Sequence, residues 1–237
     1  VMIMLKFKIL EKDGTEGTIE FEERYVINAG YTGRDQAAVK AHIDELKEEG
    51  IPAPDKTPVY FVKLPGKITQ EKTFEVLDET DHSGEVEFVL LCDGESIYVG
   101  VGSDHTDRKL EVVDIPKAKQ IYPNTISREL WRLEDVAGHW DDIIIRSWVI
   151  NNGDKKVLQE AKLTAMLDPM DLLERVKKLL KNPDDTQGLV IYSGTVAALF
   201  KADYSLYFES ELEDPVLGRK LNNVYELNCV SSWYKGD

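Results

Sequence analysis

Cysteine and long apolar stretches are scarce in this sequence. The 237 residues include two cysteines, Cys92 and Cys229, and no C-x-x-C pair. We therefore expect neither a disulfide framework nor a thiolate metal site, and the composition favours a reducing compartment. No apolar run approaches the roughly 20 residues that span a bilayer, and no segment has the order of a secretion signal. The expectation is a cytoplasmic protein that does not enter a membrane.

Basic residues are also in the minority. There are 29 Lys and Arg residues against 44 Asp and Glu residues, which gives a formal net charge of −15. Clustered cations drive binding to nucleic acids and anionic membranes, so neither is an expected partner. A small anionic substrate remains open, because one site needs only a metal and one or two local cations.

Two glutamates lie two residues apart in the apolar stretch 83–91. Side chains alternate across a strand, so Glu85 and Glu87 project from one face, a few ångströms apart. Like charges at that separation repel strongly unless a cation lies between them. Taken alone, the pattern is typical of a solvent-exposed face of an antiparallel sheet.

The residues that follow indicate how this strand pairs. Asp93-Gly94 predicts a two-residue hairpin turn. Counting back from the turn places both glutamates opposite glycines, Glu87 with Gly100 and Glu85 with Gly102. Asp104 then joins the glutamates on one face, and the glycines are expected to leave room for a hydrated divalent cation. Ligation by oxygen alone favours magnesium, manganese or calcium over zinc.

A polar loop over 102–111 follows the second arm of the hairpin. Such a run is usually no more than a loop. This one begins with the candidate ligand Asp104 and contains Arg108, whose planar guanidinium group suits a substrate carboxylate. We therefore expect Arg108 to bind the carboxylate of a metal-bound substrate.

A possible acid–base pair lies in a predicted helix over 34–49. His42 and Glu45 are three residues apart and share a face. A carboxylate next to an imidazole orients a base and raises its pKa, although composition alone favours a surface salt link. His82 and His105 flank the acidic stretch and are alternative bases, while a structural role is the commoner one for such histidines.

Taken together, these segments resemble the fumarylacetoacetate hydrolase superfamily. The superfamily has a Glu-x-Glu strand, then a loop with the pattern Asn-Asp-x-(Ser/Thr)-x-Arg-x-x-Gln whose Asp completes a metal site. Its lysine in a Lys-(Ser/Gly)-Phe segment resembles Lys119. With the strand and loop motifs, at residues 85–87 and 103–111, three further segments resemble its motifs in order, at residues 42–46, 58–63 and 188–195. The correspondence runs from about residue 25 to residue 230.

The sequence also departs from the superfamily's pattern. Ser103 and Glu111 stand where the loop motif has Asn and Gln, and Val196 replaces the proline of a usual Gly-Thr-Pro. Eleven residues separate Tyr31 from His42, where the superfamily has a tyrosine three residues before the histidine. These departures imply an outlying branch with a substrate of its own.

The resemblance implies a fold of the α+β class that is mainly β. Its main body would be a rolled mixed β-sheet, like the superfamily's C-terminal domain, over residues 58–237. A small N-terminal α/β portion with the helix 34–49 would precede it over residues 1–57. The resemblance further implies a homodimer.

The resemblance also implies a metal-dependent hydrolase that cleaves a carbon–carbon bond of a 2,4-dioxo acid or acylpyruvate-like substrate through an enolate. Eight residues would share the chemistry: Glu85, Glu87 and Asp104 as ligands of Mg²⁺ (or Mn²⁺ or Ca²⁺), Arg108 and Thr195 on the substrate carboxylate, Lys119 on the developing oxyanion, and His42 with Glu45 on the attacking water.

Two alternatives stay open. A decarboxylase or isomerase of a 2-oxo diacid uses the same metal and enolate without needing a water-activating dyad, and a non-catalytic binding module needs no chemistry.

Overall fold

The computed structural model describes residues 4–48, 53–201 and 204–234. Its strands in chain order are β1 (Met4–Leu10), β2 (Glu16–Glu22), β3 (Tyr25–Gly30), β4 (Val59–Lys63), β5 (Ile68–Thr69), β6 (Thr73–Val76), β7 (His82–Ser83), β8 (Val86–Cys92), β9 (Ile97–Asp104), β10 (Thr106–Asp107), β11 (Asn124–Ile126), β12 (Glu129–Arg132), β13 (Ile144–Asn151), β14 (Asp154–Lys162), β15 (Leu189–Tyr192), β16 (Tyr207–Asp214) and β17 (Arg219–Cys229). Its α-helices are α1 (Gln36–Glu48), α2 (Arg108–Glu111), α3 (Ile115–Ile121), α4 (Leu133–Val136) and α5 (Pro169–Lys177). Short 3-10 helices cover Ala137–Asp142, Leu163–Ala165 and Val230–Trp233.

Most of these strands belong to two sheets. The larger sheet has the order β2-β1-β12-β9-β8-β15-β3-β4, and β11 pairs with both β9 and β5 beside this path. It is mixed, because β1–β12 and β15–β3 are parallel pairs while β8–β9 and β3–β4 are antiparallel. The second sheet has the order β14-β13-β16-β17-β6. The curled mixed sheet and the small helical content confirm the predicted mainly β fold.

Strand β8 lies between two hydrophobic cores. All of its residues are buried. Phe88 and Leu90 point into the larger core between the two sheets, whereas Val89 and Leu91 point into a second core on the other face. A strand buried on both faces gives a continuous apolar run in the sequence, and this explains why Glu87, in the same strand, is buried away from bulk water.

The predicted two-residue turn at Asp93-Gly94 is wrong. Cys92 pairs with Ile97, so a four-residue connection joins β8 to β9. The Asp93 carboxylate accepts hydrogen bonds from the N–H groups of the two residues after Gly94, at 3.0 and 2.7 Å, and these bonds stabilise the longer turn. The register shifts by two residues, and an even shift leaves every side chain on its predicted face.

The prediction of open space beside Gly100 and Gly102 is also wrong. Glu87 pairs with Gly102, but a Cβ added to Gly102 would lie 2.2 Å from the carbonyl oxygen of Thr125. A Cβ on Gly100 would lie 2.9 Å from Leu130 Cδ2. Strands β11 and β12 both pair with β9 and fill this space. The glycines therefore allow close packing of strands and do not form a cavity.

The predicted helix over 34–49 corresponds to α1. The Asp35 carboxylate accepts hydrogen bonds from the N–H groups of Ala37 and Ala38, at 2.9 and 3.3 Å, and stabilises the start of the helix. Residue 49 lies outside the described residues. The domain boundary at residue 57 remains a prediction, and strands from both sides of it, β3 and β4, pair in one sheet. None of the helices in the described part of the chain has the length and hydrophobicity needed to cross a membrane.

Candidate metal centre

Three carboxylates converge at one end of the β8–β9 pair. Glu85 precedes β8, Glu87 lies in β8 and Asp104 ends β9. Each offers an oxygen, and these oxygens all lie within 4.8 Å of one another. Glu87 and Asp104 are each 1% exposed. The structure therefore brings together the three acidic residues that the sequence predicts as metal ligands.

Lys119 lies among these carboxylates. Its Nζ is 2.7 Å from Glu85 Oε2, 2.8 Å from Asp104 Oδ2 and 3.0 Å from Thr106 Oγ1. Lys119 is carried by α3, and the Asp114 carboxylate caps the start of this helix by accepting a hydrogen bond from the Lys117 N–H group. A short capped helix thus fixes the direction from which the ammonium group approaches the site.

Arg108 also binds the acidic residues. It lies at the start of α2, where its Nη2 donates to Glu85 Oε1 at 2.9 Å and its Nη1 to Glu111 Oε2 at 2.7 Å. Its Nε donates to Ser83 Oγ at 2.7 Å. The side chain remains 30% exposed, and a guanidinium group has five N–H donors. Arg108 therefore orients Glu85 and retains N–H groups for a further acceptor.

The surrounding charges separate the pKa values of the three acids. Burial raises the pKa of Glu85, but Arg108 and Lys119 outweigh it and lower that pKa to about 2. Burial and the charges of Asp104 and Glu85 raise the pKa of Glu87 well above its usual range. The pKa of Asp104 is also raised, first by burial, with Lys119 acting in the opposite direction. Burial therefore makes ionisation of Glu87 and Asp104 less favourable, and the nearby positive charge does not fully offset this effect.

The residue set fits a hard divalent cation. Asp104 Oδ1 is buried and has no hydrogen-bond partner. Arg108 and Lys119 pair with Glu85, Asp104 and Glu111, whereas Glu87 pairs with neither cation. These four carboxylates and two cations have a formal charge of −2 when all groups are ionised. Oxygen donors of this kind suit Mg²⁺, Mn²⁺ or Ca²⁺. A divalent cation would balance the charge and give Asp104 Oδ1 a partner.

The segment Gly194-Thr195 holds the Glu87 strand in place. The Gly194 N–H donates to Glu87 Oε2 at 2.9 Å, and the Thr195 hydroxyl donates to the carbonyl oxygen of Val86 at 2.8 Å. Gly194 has a φ of 83°, and a Cβ there would lie 2.6 Å from Thr32 Oγ1. Only glycine meets both requirements easily. Thr195 therefore lies beside the triad, with its hydroxyl proton engaged by the backbone.

His42 and Glu45 lie on the exposed side of α1. Their side chains are 53% and 78% exposed, and His42 Nδ1 is 3.7 Å from Glu45 Oε2. The link from this helix to the acidic residues is Tyr31, whose ring centroid lies 6.4 Å from that of His42. Burial raises the pKa of Tyr31, and the nearby charges of Glu111 and Glu85 raise it further. Among the described residues, neither His42 nor Glu45 has a hydrogen bond or ion pair with the triad.

The alternative bases His82 and His105 are buried, at 0% and 1% exposure. His82 Nδ1 and His105 Nε2 share a hydrogen bond of 2.9 Å. His105 Nδ1 bonds to the Tyr225 hydroxyl at 2.9 Å, which in turn bonds to Ser103 Oγ at 3.0 Å. Ser103 Oγ accepts a hydrogen bond from the Glu85 N–H. The structure therefore places these two histidines in a buried chain behind the acidic residues, away from solvent.

Lys63 and Glu111 are site residues to which the sequence analysis gave no role. Lys63 is 1% exposed, and its Nζ donates to the carbonyl oxygens of Tyr122, at 2.8 Å, and Lys119. It fixes the end of the helix that carries Lys119. Lys63 ends the segment 58–63, which resembles one of the superfamily's motifs, and Glu111 stands where the loop motif has Gln. Spacing alone identifies neither residue.

The comparison with family models gives one match. The model described as a protein of unknown function, DUF2848, matches residues 29–225. Among curated proteins, no sequence matches the chain at a significant level.

Solved structures share the fold. Cg1458 has a TM-score of 0.63 at 14% identity, covering 96% of this chain and 100% of its own. A structure from Mycobacterium smegmatis assigned to HpcE has a TM-score of 0.61 at 20% identity, covering 87% and 75%. A 2-keto-3-deoxy-D-arabinonate dehydratase, complexed with magnesium and 2,5-dioxopentanoate, has a TM-score of 0.60 at 13% identity, covering 90% and 77%. All three belong to the fumarylacetoacetate hydrolase superfamily, so the predicted fold resemblance is confirmed.

Proposed function

The chain belongs to the DUF2848 family, and we propose that it is a divalent-metal-dependent enzyme that acts on a 2-oxo acid through an enolate. The specific reaction proposed is hydrolysis of a carbon–carbon bond in a 2,4-dioxo acid or acylpyruvate-like substrate. The observation that carries the proposal is the convergence of Glu85, Glu87 and Asp104, of which Asp104 has a buried oxygen without a partner, with a lysine ammonium group beside them. The dehydratase with the same fold, solved with magnesium and a dioxo acid, supports this choice of ligand chemistry.

The triad would hold the cation, which would supply Lewis-acid stabilisation to the negative charge that develops on a 2-oxo acid. Lys119 donates hydrogen bonds from within the same cluster and adds positive charge next to the developing oxyanion. Arg108 anchors the substrate carboxylate with the N–H groups that Glu85, Glu111 and Ser83 leave free. Thr195 joins it by exchanging its hydrogen bond to the backbone for one to the substrate.

Hydrolysis requires an activated water molecule. Water adds to the carbonyl carbon farther from the carboxylate, and the carbon–carbon bond on the 2-oxo acid side breaks. The electron pair passes into the enolate, and a proton then returns to carbon to give the 2-oxo acid. His42, oriented by Glu45, is the proposed base for the water. Catalytic hydrogen bonds are often long before substrate binds, and the 3.7 Å separation of this pair is consistent with that role.

A second candidate is a decarboxylase or isomerase of a 2-oxo diacid that uses the same metal site. The exposure of His42 and Glu45 favours it, because these reactions form the same enolate without an activated water. The variant His42→Ala separates the two: loss of 2,4-dioxo acid hydrolysis with retained decarboxylation of oxaloacetate would favour the second candidate. Lys40→Ala, on the same helix and 76% exposed, is the control.

The central test is calorimetry with Mg²⁺ and oxalate, a mimic of the enolate. We expect the wild-type protein to bind Mg²⁺, and to bind oxalate only when Mg²⁺ is present. Glu87→Gln should weaken both by at least about tenfold, since it removes a charged ligand. The matched variant Glu95→Gln, at the exposed hairpin tip beyond the far end of β8, should bind normally. Failure to bind either probe would favour the non-catalytic binding module.

Turnover provides a second readout. Metal-dependent cleavage of an acylpyruvate should disappear in Glu87→Gln, and retained activity in that variant would overturn the metal assignment. The proposal extends to a homodimer that takes a small 2-oxo acid, and sedimentation at several protein concentrations tests the oligomeric state.

A further inference from the structure

The structure has a cleft of about 410 Å³. Clefts of roughly 300–1,000 Å³ are the size at which proteins bind small molecules. Its walls come from the residues after α1, from β4 and from the segment that joins α2 to α3. The metal centre and this cleft are therefore built partly from the same elements.

Two positions in the chain place the cleft next to the acidic residues. Val113 lines the cleft two residues after Glu111, whose carboxylate binds Arg108. Ile115 also lines the cleft and precedes Lys119 by four residues in α3. Residues four apart lie on one face of a helix, about 5–6 Å from each other. The cleft thus begins one helical turn from the lysine that binds Glu85 and Asp104.

The chemistry of the cleft walls differs sharply from that of the metal centre. Val59, Phe61, Val113 and Ile115 provide apolar walls. The charged residues along the described lining are two acids, Asp55 and Asp114, and that lining includes neither lysine nor arginine. Asp55 is exposed, and the Asp114 carboxylate pairs with the Lys117 ammonium group at 2.8 Å. A negatively charged group against the apolar walls would lose water and would find no lysine or arginine in the described lining to pair with it.

We propose that this cleft binds the uncharged, apolar tail of a 2-oxo monocarboxylic acid whose oxo acid end lies at the metal centre. The assignment rests on the proposed function, and it selects one class of substrate within it. A second carboxylate at the far end of the substrate would lose its hydration against the apolar walls, and the described lining offers it no cation. The cleft therefore argues against the 2-oxo diacid of the second candidate function.

Two acids with the same number of carbon atoms test the assignment. The acids 2-oxohexanoate and 2-oxohexanedioate share six carbons and differ in a terminal methyl group or a terminal carboxylate. Calorimetry in saturating Mg²⁺ should show that the wild-type protein binds the monoacid at least about tenfold more tightly than the diacid. Oxalate, which has no tail, is measured in parallel to report on the metal centre alone.

Variants locate the discrimination in the cleft. Asp55→Lys and Val113→Arg each place a cation in the exposed part of the lining, and each should reduce the preference for the monoacid at least about fivefold. Both positions are exposed, so the fold should be retained. Glu95→Lys makes the same charge change as Asp55→Lys at the distant hairpin tip and should leave the preference unchanged.

The outcomes distinguish the two proposals. Mg²⁺-dependent oxalate binding together with equal or tighter binding of the diacid would overturn the cleft assignment and leave the proposed function standing. The same holds if Asp55→Lys and Glu95→Lys change the preference equally. Absence of Mg²⁺-dependent oxalate binding would overturn the proposed function and the cleft assignment with it.

Discussion

Glu87 and Gly102 are direct partners across β8 and β9, and the position opposite the buried carboxylate is filled by the backbone of a third strand. A Cβ on Gly102 would lie 2.2 Å from the carbonyl oxygen of Thr125 and 3.0 Å from the ring of Tyr192. Glycine is thus required here for strand packing. The close packing of the strands around Gly102 therefore helps to fix the position of the buried Glu87.

Gly102→Ala should destabilise the protein strongly. The added methyl group meets backbone, which cannot rotate away, so we expect a loss of about 1–3 kcal/mol or more in the free energy of unfolding. Urea denaturation measures the change. Gly138→Ala is the matched control, because a Cβ at Gly138 meets no atom within 4 Å and its φ is not in the left-handed region. Equal stability of the two variants would show that β11 packs less closely than described.

The triad could be predicted from the sequence because it depends on parity rather than on exact register. The turn prediction placed Glu87 opposite Gly100, whereas the structure pairs it with Gly102. The error was two residues, and a shift of two keeps side chains on the same face. A shift of one would have moved Glu87 away from Asp104 and removed the site.

Other parts of the site could not be predicted from local spacing, because they depend on contacts between distant segments, and Lys119 was predicted only through the family resemblance. No local pattern indicates that the ammonium group of Lys119 reaches Glu85, 34 residues earlier in the chain. The close packing of β11 against Gly102 was not predicted for the same reason, because a polar loop and two short helices separate β11 from Gly102 in the chain. Local periodicity carries no information about such approaches.

Lys63 should make stability increase with pH in the alkaline range. Burial lowers its pKa from 10.5 to about 8, an effect that the charge of Asp104 partly opposes. Below pH 8 the folded protein must keep a buried charge. Between about pH 8 and 10.5 the folded protein releases a proton that the unfolded chain still binds, so folding becomes more favourable. One pKa unit corresponds to about 1.4 kcal/mol, so the full contribution is about 3 kcal/mol.

The variant Lys63→Met isolates this contribution. Its free energy of unfolding, measured by urea denaturation from about pH 7 to pH 10.5, should rise less than that of the wild-type protein by about 3 kcal/mol. Lys6→Met, at a side chain that is 78% exposed, should follow the wild-type profile. A wild-type profile for Lys63→Met would mean that the buried ammonium group does not titrate in this range.

Cys92 should be inert to thiol reagents in the folded protein. It is 1% exposed, and burial together with the charge of Asp93 raises its pKa to about 12. Thiolate is the reactive form, so almost none is present at neutral pH. Labelling with a chromogenic disulfide should modify Cys92 only after denaturant is added, as identified by peptide mass. Rapid labelling of Cys92 in native buffer would contradict its burial in β8.

Lys119→Met should convert the metal centre into a site whose stability depends on a cation. The substitution leaves the Glu85 and Asp104 carboxylates without the ammonium group that binds both, and loss of one partner of a buried ion pair costs about 3–5 kcal/mol. A divalent cation that binds the triad should restore part of this loss, because binding to the folded state alone raises stability. The increase in Tm on addition of Mg²⁺ should therefore be larger in Lys119→Met than in the wild-type protein. Lys117→Met is the matched control on the same helix, since its side chain is 76% exposed and pairs with Asp114. Equal Mg²⁺-induced increases in all three proteins would mean that the cation binds elsewhere and that Lys119 is only a structural partner of the carboxylates.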